Sequence, residues 1–186
     1  MRISEYFGKI ACELNNTING MAFEEAERLV ELILKTKRVF VLGVGRSGFM
    51  VKSFAMRLAQ MGFEAYVVGE TITTAMEEND LLVIGSGSGE TESLVAIALK
   101  AKKIKGIIAL ITISPQSSIG LIADLSIKVK AVSPKVNSTS QYCSIQPGAS
   151  LFEISLLILL ESVVLRLMEK SGKDSDAMIT RHANIE

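Results

Sequence analysis

The chain has no excess charge of either sign: 20 Lys and Arg balance 20 Asp and Glu over 186 residues. Proteins that hold nucleic acid or an anionic membrane surface draw on a positive field, and no bulk field exists here to supply one. The cluster Lys100, Lys102, Lys103 and Lys105 therefore reads as a solvated helix end. Cysteine is nearly absent, and Cys12 and Cys143 are too few and too isolated for a zinc site or a disulfide framework. Reduced thiols in a cytoplasmic setting fit that scarcity. Histidine occurs once, at His182, so any imidazole chemistry must use it, and one His among scattered acids offers no metal-ligand constellation. The stretch MRISEYFGKIACELNN carries charges throughout and has no apolar h-region, so it does not read as a signal peptide. No apolar run suits a bilayer either, because Glu153, Glu161 and Arg166 interrupt LFEISLLILLESVVLRLM at intervals too short for a membrane core.

What is present is apolar residue in quantity, 48% of the chain, at a length that supports one domain with a substantial core. We take residues 1–186 as a single domain with an N-terminal helix over about 16–36, a sheet core over about 38–130 and C-terminal helices over about 150–182. Met21, Ala22, Leu29, Val30 and Ile33 recur at helical spacing behind early acids, which predicts the first helix. The pattern then changes to short apolar runs: RVFVLGVG, EAYVVGE, DLLVIGSG, GIIALITI and DLSIKVKA. Continuous rather than alternating runs suit strands covered on both faces, hence a parallel sheet. Helical stretches separate them at Gly48–Met61, Glu90–Ile104 and, more briefly, Ser117–Ile122. The alternation predicts an α/β fold: a three-layer, doubly wound, five-stranded parallel sheet of order 2-1-3-4-5, flavodoxin-like. The segment from Ala131 to Gly148, rich in Ser, Thr and Pro, reads as a loop of about 17 residues, a length that in compact domains goes with function or mobility. The helix that follows is apolar on nearly every side, so association between subunits is expected to cover it.

Two Gly/Ser turns stand out. Gly43-Val44-Gly45-Arg46-Ser47-Gly48 follows the first strand and opens a helix, and Ser86-Gly87-Ser88-Gly89-Glu90-Thr91 does the same after the third. The first matches G-x-G-x-x-G, with Glu70 about twenty residues on, and alone it would suit a dinucleotide. A dinucleotide-binding oxidoreductase has no need of the second. Both turns offer backbone N–H groups at helix N-termini, where an anion is favoured, and the serines and Thr91 add hydroxyl donors that a phosphate accepts. In the order 2-1-3-4-5 these turns flank the switch point, so both face one crevice. The plainer alternative is that Ser88 and Thr91 cap a helix and the glycines turn the chain.

The motifs GVGRSG with FAMRLAQMGF, VVGETITTA, SGSGET, PGASLFE and the terminal RHANIE occur over most of the chain in an order that resembles the SIS (sugar isomerase) domains, and among them the 6-phospho-3-hexuloisomerases. That resemblance implies a homotetramer that interconverts 3-hexulose 6-phosphate and fructose 6-phosphate with no cofactor. Its substrate-binding positions fall on Gly45, Arg46, Ser47, Ser86, Gly87, Ser88, Gly89, Glu90 and Thr91. One segment departs from the family: Pro-Met-Gly-Thr-x-Phe-Glu is here Pro147-Gly148-Ala149-Ser150-Leu151-Phe152-Glu153, which keeps a hydroxyl and reshapes the wall beside it.

Moving a carbonyl between C3 and C2 requires a base that takes a proton beside the ketone and returns it next door through a cis-enediol. Glu153, in the first turn of the apolar helix, is the candidate, although an acid there also complements a helix dipole. His182 is the candidate to shuttle protons among the enediol oxygens, in its own or a neighbouring subunit, unless it is a surface residue of a polar tail. Arg46 suits phosphate or enediolate, or is simply solvated. Two alternatives stand beside this reading: another SIS phosphosugar isomerase, and a non-catalytic phosphosugar-binding regulator, for which no residues remain to form an effector domain.

Overall fold

In the computed structural model, residues 1–132, 144–182 and 184 are described; Cys143, most of the expected loop and part of the RHANIE terminus lie outside them. Five strands form one sheet: β1 (Arg38–Leu42), β2 (Glu64–Val67), β3 (Leu81–Gly85), β4 (Ile107–Thr112) and β5 (Leu125–Lys128). Every pairing is parallel and the order is β2-β1-β3-β4-β5, as the alternation of strand and helix patterns predicts. Successive strand residues point to opposite faces, and both faces are covered. On one face Val39, Val41, Leu81, Val83, Ala109 and Ile111 pack into a core with α2 (Glu24–Lys35), α3 (Gly45–Gln60) and α5 (Ser150–Ser171). On the other, Phe40, Leu42, Leu82, Ile84, Ile108 and Leu110 meet α4 (Glu92–Lys103). The central strands β1, β3 and β4 have no polar row on either face and so show no alternation, whereas edge strand β5 alternates as Leu125-Ser126-Ile127-Lys128.

Two elements differ from the sequence expectation. Instead of one helix over about 16–36, the chain forms α1 (Ile3–Asn19) and then α2, broken at Gly20, which ends α1. The first helix is hard to read because Asn15, Asn16, Thr17 and Asn19 are poor helix formers and much of its apolar face, including Ile3, Tyr6 and Phe7, is exposed. Residues 117–122 are turns rather than a helix; Gly120 lies so close to the Pro115 carbonyl that a Cβ would approach its oxygen to 2.0 Å.

Helix α5 carries ten buried residues, from Ser150 to Leu167. It lies against α1, α2 and α3 as well as the sheet, so its own chain covers much of its apolar surface. Leu165 remains two-thirds exposed. No helix among the described residues is long and apolar enough to cross a membrane. A short α6 (Ser175–Ile179) follows.

Candidate functional site

Crossovers β1–α3 and β3–α4 leave adjacent strands for opposite faces of the sheet, since α3 joins one core and α4 the other. The strand ends therefore part at a switch point, and a crevice opens between them. The chain enters α3 with Gly45 at φ 58°, in the left-handed region that glycine occupies without strain. Gly48 then lies so near Gly43 that a Cβ would come within 2.8 Å of the Gly43 carbonyl oxygen, which draws the first turn of α3 down onto the strand end. The N–H groups of such a first turn have no partner within the helix and face outward.

The second turn is fixed by its neighbours. Ser86 N–H donates to the Ile111 carbonyl at 3.1 Å, and the Gly87 carbonyl accepts from Ile113 N–H and the Thr112 hydroxyl, both at 3.0 Å. Within the turn the Ser86 hydroxyl accepts from Gly89 N–H at 3.1 Å, and the Ser88 hydroxyl from Glu90 N–H at 3.2 Å. A hydroxyl that accepts in this way keeps its own proton to donate. Thr91 is the N-cap of α4 without a side-chain cap bond, so its hydroxyl is not used to cap.

These turns line one pocket of about 370 Å³ with the start of α5: Val44, Gly45, Arg46 and Ser47 on one side, Gly85 to Ser88 with Thr91 and Leu94 on another, and Gly148, Ala149, Phe152 and Glu153 on a third. Seven of the expected site residues besides Glu153 itself are thereby brought together: Gly45, Arg46, Ser47, Ser86, Gly87, Ser88 and Thr91. The Glu153 side chain is 12% exposed and is paired with the Arg46 guanidinium, which is 60% exposed. A carboxylate and an exposed cation thus pair at the wall of the pocket that the hydroxyl-bearing turns also line.

The remaining expected residues lie elsewhere. Gly89 and Glu90 do not line that pocket. Glu90 accepts from Ser118 N–H at 2.7 Å and from the Ser118 hydroxyl at 2.6 Å, and those bonds hold its carboxyl below the ordinary carboxylate value. Gly89, at φ 65°, passes so close to Ser117 that a Cβ would meet the Ser117 hydroxyl oxygen at 2.0 Å. Together they tie the turn to residues 117–119. His182 is exposed and lines a different pocket between α3, α5 and α6, with Arg57, Gln60 and Glu161, so within one chain it is apart from Glu153. Glu70, the dinucleotide-type acid, is paired with Lys52. Among the described residues no three His, Cys, Asp or Glu side chains gather to hold a metal ion.

Three contributors escaped sequence reasoning. Phe152 and Leu94 supply apolar wall, and only their adjacency to Glu153 and to the α4 N-terminus could have pointed to them. Glu13 of α1 reaches the segment that leads into the third wall, a contact across more than 130 residues that no local spacing announces.

Comparison with known proteins gives these features a context. The sequence matches the SIS domain family over residues 32–147. It is 51% identical, over all of both chains, to a protein of Bacillus subtilis (strain 168) named 3-hexulose-6-phosphate isomerase. It is 36% identical to a protein of the same name from Mycobacterium gastri, over 94% of this chain and 86% of that one. A crystal structure of a hypothetical protein from Methanococcus jannaschii, described as inferring a molecular function of 3-hexulose-6-phosphate isomerase, superposes with a TM-score of 0.83 at 34% identity, over 98% of this chain and 99% of the other.

Proposed function

The chain belongs to the SIS domain family and is a sugar-phosphate isomerase, and we propose that its reaction is the interconversion of 3-hexulose 6-phosphate and fructose 6-phosphate through a cis-enediol. The observation that carries this reading is the composition of one pocket: two hydroxyl-bearing turns at helix N-termini face a single carboxylate, Glu153. The turns suit the phosphate. Ser47, Ser86, Ser88 and Thr91 offer O–H donors, and the first turns of α3 and α4 offer N–H donors and the positive end of the helix dipole.

Glu153 then acts at the other end of the sugar. From fructose 6-phosphate it takes the proton on C3 as the C2 carbonyl becomes an enediol hydroxyl; it returns that proton to C2 as the C3 oxygen becomes the new carbonyl. One base positioned over one face serves both transfers. Arg46 places positive charge beside the base, where negative charge develops on the enediol oxygens. The proton that passes between those oxygens is assigned to His182 across a subunit contact, within a cytoplasmic homotetramer. Gly89 and Glu90 support the phosphate turn from behind.

A second reading, turnover of another phosphosugar such as a heptulose or aldose phosphate, is favoured by Gly148 and Ala149, which line the pocket where the family's segment carries Met and Gly. The deciding experiment is turnover of 3-hexulose 6-phosphate with fructose 6-phosphate detected as product, beside the unphosphorylated sugar and the other phosphosugars. Phosphate-dependent conversion of the 3-hexulose supports the first reading. Background rates with it, and turnover of a different phosphosugar, establish the second.

A further inference from the structure

We propose that Glu13 of α1 is a positioning residue for this pocket: its carboxylate clasps Ser144–Gln146 and thereby sets the pocket wall at Gly148 and Ala149 and the first turn of α5 that carries Glu153. The inference rests on Glu153 being the base. Three consecutive residues converge on the one carboxylate. Its Oε1 accepts from Ile145 N–H at 2.8 Å, and its Oε2 accepts from the Ser144 hydroxyl at 2.7 Å and from Gln146 Nε2 at 2.9 Å. The Ser144 hydroxyl in turn accepts from Gln146 N–H at 3.0 Å, which closes the turn on itself.

From that turn the path to the base is short and continuous. Pro147 follows directly, and its carbonyl accepts from Ser150 N–H at 3.1 Å; the Ala149 carbonyl accepts from Glu153 N–H at 3.0 Å. Gly148 between them holds φ 60°, in the left-handed region that glycine occupies without strain. Glu13 is chemically suited to the task. A carboxylate accepts at both oxygens and has nothing to donate, so it matches three donors, and bonds to an ionised acceptor are stronger than neutral ones. Burial works against its charge, but the hydrogen bonds from Gln146, Ile145 and Ser144 outweigh burial and hold the carboxyl below its ordinary value. The apolar seating of α1 is shallow, with Thr17 buried and Leu14 partly buried against the core, and the Glu13 carboxylate adds the polar tie to this segment.

The test is a double-mutant cycle in the full chain. The variants Glu13→Ala, Glu13→Gln, Glu153→Gln and Glu13→Ala/Glu153→Gln are assayed for kcat and KM with 3-hexulose 6-phosphate, each after a melt that verifies the fold. Slight misplacement of a reacting group can cost as much as a hundredfold, so Glu13→Ala is expected to lower kcat about tenfold or more. Glu13→Gln, whose amide oxygen still accepts from Ile145, is expected to recover most of that loss. In the Glu153→Gln background, where no base remains to be positioned, Glu13→Ala is expected to cost nothing further. Hydrogen exchange read at the Ile145 and Ser150 amides should quicken in Glu13→Ala while the β3 and β4 amides stay protected.

Wild-type kcat in Glu13→Ala overturns the proposal, as does an unchanged tenfold loss when Glu153 is already Gln, which would mean that Glu13 acts on something other than the base. Those results leave the assignment of Glu153 standing. An active Glu153→Gln single variant instead removes the base assignment, and the clasp falls with it.

Discussion

Replacing Glu153 with Gln keeps the volume and planarity of the side chain and removes only its charge and basicity. Two costs can be set against each other. The first is structural. Arg46 loses its partner, but its guanidinium is 60% exposed and can turn to water. Ion pairs of that kind contribute about 0–1 kcal/mol, which for a chain of this size shifts Tm by no more than about 4 °C. The second is chemical. A general base contributes about 10²–10⁴ in rate, or roughly 2.7–5.4 kcal/mol of barrier. The variant is therefore expected to stay folded and to bind the phosphosugar, because the hydroxyl-bearing turns are untouched, while turnover falls at least a hundredfold.

Proton abstraction can be read directly. Fructose 6-phosphate incubated in D2O with the wild-type protein should lose its C3 proton signal by NMR as the enediol forms and returns; with Glu153→Gln the signal should persist. Calorimetric titration with the same sugar phosphate supplies the binding control. Retention of more than about a tenth of the wild-type rate, or C3 exchange at an undiminished pace, would refute the reasoning, since no loss that small matches removal of the base.

Ser47→Ala combined with Ser88→Ala should raise KM with little change in kcat, by up to roughly a hundredfold if each hydroxyl makes a bond of about 1.5 kcal/mol to the charged phosphate, and an unchanged KM would remove these hydroxyls from the anion site. Gly89→Ala should lower Tm far more than Gly45→Ala. Both glycines have positive φ, which costs alanine about 1–2 kcal/mol, but the space at Gly45 is open whereas at Gly89 the new Cβ meets buried Ser117 at 2.0 Å; equal melts would contradict the packing. Glu13 has a depressed pKa in the folded chain, so its contribution to stability is complete above the ordinary carboxylate value of 4.5 and fades as pH falls through the lower folded value. Urea unfolding of wild type and Glu13→Gln should differ at neutral pH and converge in acid.

The sheet was legible because the three central strands, β1, β3 and β4, are buried on both faces and so read as continuous apolar runs, and because the runs alternate with helical periods that admit few parallel topologies. The two turns were legible for the same reason: both follow a strand and open a helix, so their place at the switch point follows from order alone. Legibility failed where long-range contact decides. Glu90 stands within SGSGET as if aimed at a ligand, but Ser118, 28 residues on, claims both its oxygens. The helical reading of residues 117–122 gave way to that packing and to the crowding of Gly120 on Pro115. The α1 helix, with its Asn-rich second half, is held by tertiary contacts, Leu14 against the core and Glu13 on Ser144–Gln146, which no local pattern announces.

The pocket joins two kinds of scaffold, and they differ in how firmly they are held. The turn proposed for the phosphate is fixed by main-chain bonds to β4 and to the segment behind it: Ser86 to Ile111, Ile113 to Gly87, and Ile119 to Gly89. No side-chain change elsewhere can remove those bonds without removing a strand. The wall that carries Gly148, Ala149 and Glu153 comes from a part of the chain well beyond that turn, and the segment leading into it is bonded by the Glu13 carboxylate of α1. Substitution is far less constrained there. The phosphate end should accordingly tolerate little variation, while the sugar end can be reshaped by residues 147–150 without disturbing the sheet. The departure of this chain from the segment of the family it resembles falls at that end, so under the proposed assignment Gly148 and Ala149 bear on the sugar and not on the phosphate.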